Sequence, residues 1–123
     1  MATYGVTIKN LAEIRRAFQL SPKLMATELD AAIKKSAISI QRDSMINSPV
    51  LTGYLRASHE VTFTPLKGVI EPTANYAIYV HEGTYKMAAR PFLADAVQTN
   101  EQKVNDYFVK AVDNVFGAIG RMV

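Results

Sequence analysis

The sequence predicts an α+β fold, in which an antiparallel β-sheet of three to four strands packs against two long α-helices and a short N-terminal helix. Two long segments repeat apolar residues at helical spacing. Between them lie short segments that alternate, or are rich in β-branched and aromatic residues. No repeat, low-complexity stretch or linker divides the 123 residues, so we expect one domain over residues 1–123.

The N-terminal part of the chain predicts a strand followed by a short helix. Residues 4–8 alternate apolar side chains with small or polar ones, which is typical of a strand with one buried face. Asn10, with Glu13 three positions later, predicts a capping box that opens a helix ending near Leu20. Ser21-Pro22 then predicts a new helix start, because Ser can cap and Pro at the first position loses no hydrogen bond.

The first long helix is predicted from Pro22 to about Ile46. Its apolar residues recur every three or four positions along one face, at Met25, Leu29, Ile33, Ala37 and Ile40. A helix of this length measures about 37 Å, so we expect it to cross the whole domain. Pro49 ends it, because the proline ring disfavours the α conformation at Ser48.

The middle of the chain predicts the sheet. A turn at Thr52-Gly53 and one helical turn over 55–58 precede two short segments, 60–64 and 69–70, which form a hairpin across a turn at 65–68. Residues 76–80 predict a third strand from their β-branched and aromatic content, with a short helix as the alternative.

The second long helix is predicted to begin at Arg90-Pro91, because Pro suits the first helical turn. One apolar stripe then continues over several turns, at Leu93, Val97, Val104, Phe108, Ala111, Val115 and Ile119. Gly117 and Gly120 mark its fraying end.

Composition excludes several classes of function. The chain has no cysteine, which excludes disulfides, thiolate metal sites and cysteine nucleophiles. Its uncharged runs are far shorter than the ~20 apolar residues of a membrane helix. The N-terminus has no basic segment followed by an apolar one, so we expect no secretory signal and synthesis in the cytoplasm.

Two His-Glu pairs, His59-Glu60 and His81-Glu82, are the candidates for metal or acid–base chemistry. Neither continues into the helical zinc-protease pattern, which needs a second His on the same helix face. Nucleophile elbows, phosphate-binding loops and carboxylate clusters are likewise missing from the sequence. We therefore expect structural roles for both histidines, no cofactor, no metal and no enzymatic activity.

The net charge of +3 is spread over mixed signs, which is weak support for phosphate binding. Lys34, Lys35 and Arg42 share the first long helix with acidic residues that dilute their field. Aromatic residues at strand spacing are more often core or subunit-interface anchors than base-stacking residues, because they bury large area with little loss of rotamer entropy. We expect an interface role for Tyr85, and for Tyr79 if it faces outward.

Two segments carry a resemblance to a known family. The first is PVLTGYLRAS at 49–58, and the second is YAIYVHEGT at 76–84, continuing through MAARPFL at 87–93. In this order, with a hairpin between them, they resemble the small tail-completion and head–tail joining proteins of long-tailed bacteriophages. The resemblance covers residues 48–97 by motif, and the two flanking long helices by pattern.

The resemblance implies a non-enzymatic virion protein, made in the host cytoplasm, that forms a ring at the head–tail junction. Six copies are the expected number, and genomic DNA passes through the bore without sequence-specific binding. The implied partners are copies of itself, a head-completion or connector protein, and a tail tube or tail terminator protein, with no membrane. The alternatives are a tail terminator ring that caps the tube, or a small nucleic-acid-binding protein, which the sequence pI of about 9.2 would favour.

The same motifs supply the candidate interface residues: Thr52, Gly53, Leu55, Arg56, Tyr79, Glu82, Gly83, Thr84, Tyr85, Lys86, Arg90 and Phe92. An Arg fork matches a carboxylate with two hydrogen bonds, so we expect Arg56 or Arg90 to pair with an acid such as Glu71 or Glu82, within the subunit or across to a neighbour. Residues 1–56 carry net +4 and residues 57–123 net −1, a division that suits head-to-tail contact.

Overall fold

A computed structural model describes residues 5–48, 53–74, 76–83 and 88–122, and it has the α+β class that the sequence predicts. The elements follow one another as α1 (Leu11–Leu20), α2 (Pro22–Asn47), α3 (Tyr54–Ala57), β1 (His59–Thr64), β2 (Lys67–Pro72), α4 (Ala77–Glu82), α5 (Phe92–Thr99) and α6 (Glu101–Met122). No helix in these ranges is both long enough and apolar enough to cross a membrane.

Helix α2 is the centre of the molecule. It contacts α1, α3, both strands, α5 and α6, and its predicted apolar face is turned inward, with Met25, Ala37 and Ile40 buried. Pro22 begins the helix as expected, but the side chain of Ser21 makes no capping hydrogen bond. One long amphipathic helix therefore makes substantial contacts with all the other described elements except α4.

The N-terminal segment differs from the prediction. Residues 5–10 form no strand, and Tyr4 lies outside the described residues. The Asn105 amide holds the segment instead: its Oδ1 accepts from Lys9 N at 2.9 Å and its Nδ2 donates to Thr7 O at 3.0 Å. Asn10 occupies the N-cap position of α1 without a side-chain capping bond, so the predicted capping box does not form.

The sheet has two strands within the described ranges, fewer than the three to four predicted. β1 and β2 form the expected antiparallel hairpin, in which Val61 pairs with Ile70. The predicted third strand over 76–80 is the short helix α4, the alternative that the sequence left open. Ala77 and His81, four residues apart, are both buried, and this helical spacing outweighs the β-branched composition of so short a segment.

The predicted second long helix is broken in two at Asn100, between α5 and α6. The Asn100 side chain is 1% exposed; its Oδ1 accepts from Ser39 Oγ at 2.6 Å, and its Nδ2 donates to Asp43 Oδ2 at 2.7 Å and to Ala96 O at 2.8 Å. The apolar stripe continues across the break, because Val97 and Val104 lie two turns apart. A periodicity argument therefore could not detect it.

Two groups of buried apolar residues form the core. One joins α2, α3 and α5 around Phe92 and Leu55, and the other joins α1, α2 and α6 around Met25 and Val115. Phe108 packs against both groups, so the two are continuous.

Candidate functional site

The first motif segment caps the end of the central helix. Arg56 Nε donates to Met45 O at 2.7 Å, and its Nη2 donates to Ile46 O at 3.3 Å. These carbonyls belong to the last turn of α2, where backbone acceptors lack intrahelical partners and the helix dipole favours positive charge. The position of Arg56 is therefore explained by the fold of the subunit.

The residues around Arg56 also serve the fold. Gly53 has φ +77°, a backbone conformation that non-glycine residues rarely adopt, and its carbonyl accepts from Ala57 N at 2.9 Å. Leu55 is 3% exposed and packs in the Phe92 group of the core. Gly53 therefore shapes the turn, Leu55 anchors α3 in the core, and Arg56 caps the end of α2.

His59 is buried at the open end of the hairpin, where β1 begins. Its Nδ1 lies 3.1 Å from both Leu55 O and Arg56 O, so Nδ1 carries the proton and donates to these carbonyls. Its Nε2 then accepts from Ser44 Oγ at 2.8 Å. Burial lowers the pKa of His59 from its usual 6.5, against the opposing effect of the hydrogen bonds to Leu55 and Arg56.

His81 holds the start of α5. Its Nε2 accepts from Ala94 N at 3.1 Å, which satisfies one of the orphan N–H groups of the first helical turn. The other ring nitrogen, Nδ1, therefore carries the proton and donates to Glu82 Oε1 at 2.8 Å. The imidazole thus replaces the missing side-chain cap of α5.

Phe92 lies between the two histidines. Its ring centroid is 5.6 Å from that of His59 and 5.2 Å from that of His81, and both contacts are edge-on. The Phe92 carbonyl accepts a long hydrogen bond from Asn47 Nδ2 at 3.4 Å. The two motif segments therefore meet around Phe92 at the C-terminal end of α2.

The predicted interface candidates separate into buried and exposed positions. Leu55 and Phe92 are buried, and Arg56 is partly buried beneath the α2 carbonyls. Tyr79 is 59% exposed, and Glu82 and Arg90 are also exposed. Gly83 ends α4 with φ +82°. The remaining candidates, Thr52, Thr84, Tyr85 and Lys86, lie outside the described residues.

Among the described residues, neither Arg56 nor Arg90 forms the expected pair with an acid. Arg56 binds carbonyl oxygens, and the ion pairs found among the described residues do not include Arg90. A pair between Arg90 and an acid of a neighbouring copy remains a prediction.

Sequence reasoning missed the buried polar residues that support this region. Ser39, Ser44 and Asn100 are all buried, and each bonds a side chain from a distant part of the chain. A signal for them does exist, because small polar residues interrupt the inward face of α2 at positions 36, 39 and 44. A serine on a buried helix face usually has a hydrogen-bond partner.

The described residues offer no built site for a metal ion. They contain no cluster of three or more His, Asp or Glu side chains that could hold a metal ion. A groove of about 670 Å³ runs along strand β2 beside α2, α5 and α6, and the helices line it with apolar residues and Ser36. Such a groove can receive apolar side chains.

No protein-family model matches the chain, and neither a curated protein nor a solved structure is significantly similar to it. What the protein does must therefore be inferred from its own residues and their arrangement.

Proposed function

We propose that this protein is a structural subunit of a tailed-bacteriophage virion. It forms a ring, with six copies as the expected number, at the junction of head and tail. The ring completes the tail or joins it to the head connector, and DNA passes through its bore. The motif resemblance of residues 48–97 is the starting point for this proposal, and the distribution of buried and exposed side chains supports it.

One observation carries the proposal: the second motif segment has a buried side that fixes the fold and an exposed side free to contact other proteins. His81 and Phe92 are each 1% exposed, whereas Ile78 is 40% and Tyr79 is 59% exposed. Adjacent large apolar side chains left exposed on one element form a patch of the kind that protein–protein contacts use.

The histidines favour an assembly role over catalysis. All four ring nitrogens of His59 and His81 bond groups within the subunit, and both rings pack on Phe92. A general acid or base needs a nitrogen within reach of a substrate. His59 instead bonds α2 and α3, and His81 bonds α5.

Charge pairing disfavours the nucleic-acid alternative. On α2, Lys34 Nζ lies 3.3 Å from Asp30 Oδ2, and Arg42 Nε lies 3.4 Å from Asp43 Oδ1. Basic residues paired in this way contribute little field to a phosphate-binding surface. DNA binding by the isolated protein, with a salt dependence that indicates several phosphate contacts, would reverse this conclusion.

The test is the place of the protein in the particle. Purified virions should contain the polypeptide, and electron microscopy with a specific label should locate it at the head–tail joint. Phage lacking the gene should accumulate filled heads and finished tails that do not attach, and the wild-type gene supplied in trans should restore joining. Tails of uncontrolled length would favour the terminator alternative, and infectious particles without the protein would refute the proposal.

A further inference from the structure

One face of the β1–β2 hairpin is uncovered. The strand register places His59 opposite Pro72, and both are buried. On the same face, a Cβ at Gly68 would lie 3.3 Å from Ala37 Cβ of α2, so this face is turned toward the subunit. Because side chains alternate along a strand, the opposite face carries six residues, all exposed, which we call the outer hairpin face: Glu60, Thr62, Thr64, Lys67, Val69 and Glu71.

The outer hairpin face has an unfavourable charge arrangement for an isolated subunit. Glu60 and Glu71 are direct cross-strand partners, and like charges in this position destabilise a sheet. Neither forms an ion pair with any residue in the described ranges. On the same face, next to the two glutamates, the apolar side chain of Val69 is left 41% exposed to solvent. A cation placed between the two carboxylates, with an apolar side chain over Val69, would remove both defects.

A second surface offers that chemistry. Ile78 and Tyr79 of α4 are exposed, and the exposed residue Arg90 is joined to the same helix, because its backbone N donates to Val80 O at 2.9 Å. We call Ile78, Tyr79 and Arg90 the α4 patch. All 11 acidic residues of the chain lie within the described ranges, and none of their side chains forms an ion pair with Arg90.

We propose that the α4 patch of one copy docks on the outer hairpin face of the next copy, with Arg90 between Glu60 and Glu71. This inference rests on the proposed ring and names the contact that links its subunits. The two surfaces differ, so each copy can use one toward each neighbour. Such head-to-tail contacts repeat around an axis and close into a ring when the rotation per copy allows it.

The contact is small. A six-residue strand is about 20 Å long and neighbouring strands lie about 5 Å apart, so the two-stranded face covers only a few hundred Å² of the subunit. A stable interface buries about 800 Å² per partner. The docked pair is therefore short-lived in solution, and a covalent trap is the appropriate way to detect it.

Cysteine cross-linking provides that trap, because the natural chain has no cysteine. Thr62→Cys places one thiol at the middle of the outer hairpin face, and Ala89→Cys places another next to Arg90. The two full-length variants, distinguished by mass, are mixed at concentrations up to millimolar under mild oxidation. We expect a mixed dimer well above the yield from Thr62→Cys with Val109→Cys, another exposed position, which lies on α6.

Charge exchange tests the chemistry of the contact. Adding Arg90→Glu to the Ala89→Cys variant should lower the mixed-dimer yield about tenfold, because like charges then oppose each other. Adding Glu60→Lys and Glu71→Lys to the Thr62→Cys variant should restore the yield. Lys103→Glu on α6 makes the same change in net charge as Arg90→Glu and should leave the yield unchanged. Circular dichroism of each variant confirms that it folds.

Three outcomes would overturn the proposed contact. They are a yield no higher than the Val109 control at the highest concentration, a yield indifferent to Arg90→Glu, or a dominant dimer of Thr62→Cys with itself. The last result would mean that hairpins face each other symmetrically. A protein found at the head–tail joint without the Thr62–Ala89 cross-link refutes this contact alone, whereas a specific cross-link in a protein absent from virions refutes the proposed function alone.

Discussion

Arg56 Nε lies 2.7 Å from the carbonyl oxygen of Met45, across 11 residues of sequence, and this bond fixes the short helix α3 to the end of α2. The guanidinium also reaches Ile46 O at 3.3 Å. The end of the longest helix is therefore closed by a side chain from the next element of the chain. The hairpin that follows begins two residues after α3 ends, at His59.

We expect Arg56→Ala to lower the free energy of unfolding by about 1.5–3 kcal/mol, because hydrogen bonds from a charged donor to helix-end carbonyls are lost. Arg56→Lys should be intermediate, since Lys keeps the charge and lacks the planar fork. Urea denaturation measures both changes. Arg90→Ala is the matched control, and its exposed side chain should cost no more than about 0.5 kcal/mol. Equal losses at the two positions would contradict the capping role.

The stability of the protein should depend on the protonation of His59. Its pKa is lowered in the folded state by burial, so the unfolded chain takes up the proton more readily. Stability is therefore fully present above the unfolded pKa of about 6.5, and it is lost as pH falls through that value toward the lower folded pKa. Thermal melts between pH 8 and pH 5 should show this decline.

A variant isolates the contribution of His59 to that decline. In His59→Asn the amide nitrogen can still donate to the carbonyls that Nδ1 reaches, but the side chain does not titrate. We expect lower stability at pH 8 and a flatter dependence on pH between 7 and 5. His81 is present in both proteins, so the difference between the two slopes belongs to His59. Identical slopes would show that protonation of His59 is not linked to folding.

Asn100→Ala should destabilise the protein by about 1–3 kcal/mol, because it leaves the buried Ser39 hydroxyl and Asp43 Oδ2 without their amide partner. Gln102→Ala is the control: it also removes an amide, but one whose bond to Asp106 is exposed. That control should change stability by no more than about 0.5 kcal/mol. Chemical denaturation compares the two variants, and a similar small effect at both would argue against the buried network.

Two glycine-to-alanine substitutions should act in opposite directions. At both Gly53 and Gly117 a Cβ would meet nothing within 4 Å, so crowding plays no part. Gly53 has φ +77°, and an alanine there should cost about 1–2 kcal/mol. Gly117 lies inside α6, and an alanine there should stabilise by up to about 1 kcal/mol. The melting temperature should therefore fall for Gly53→Ala and rise for Gly117→Ala. A lower melting temperature for both variants would contradict this explanation.

Local pattern determined much of the fold. Ser21-Pro22 predicted the start of α2, the apolar spacing predicted its buried face, and turn residues between two short strand-like segments predicted the β1–β2 hairpin. These predictions hold because periodicity and turn chemistry act between residues a few positions apart. The same reasoning could not choose between strand and helix at 76–80, where the apolar run is too short to have a clear period.

Partners that are distant in sequence decided the rest. At the α5–α6 break, Asn100 bonds Ser39 and Asp43, 61 and 57 residues away. His59 and His81 bond groups brought to them by α2 and α5, and both rings contact Phe92. Composition and motif spacing singled out the two histidines without indicating what they touch. Hydrogen bonds and ring contacts form only once packing has brought the groups together. For that reason only the tertiary structure shows that Arg56 caps α2 while Arg90 is exposed on the surface.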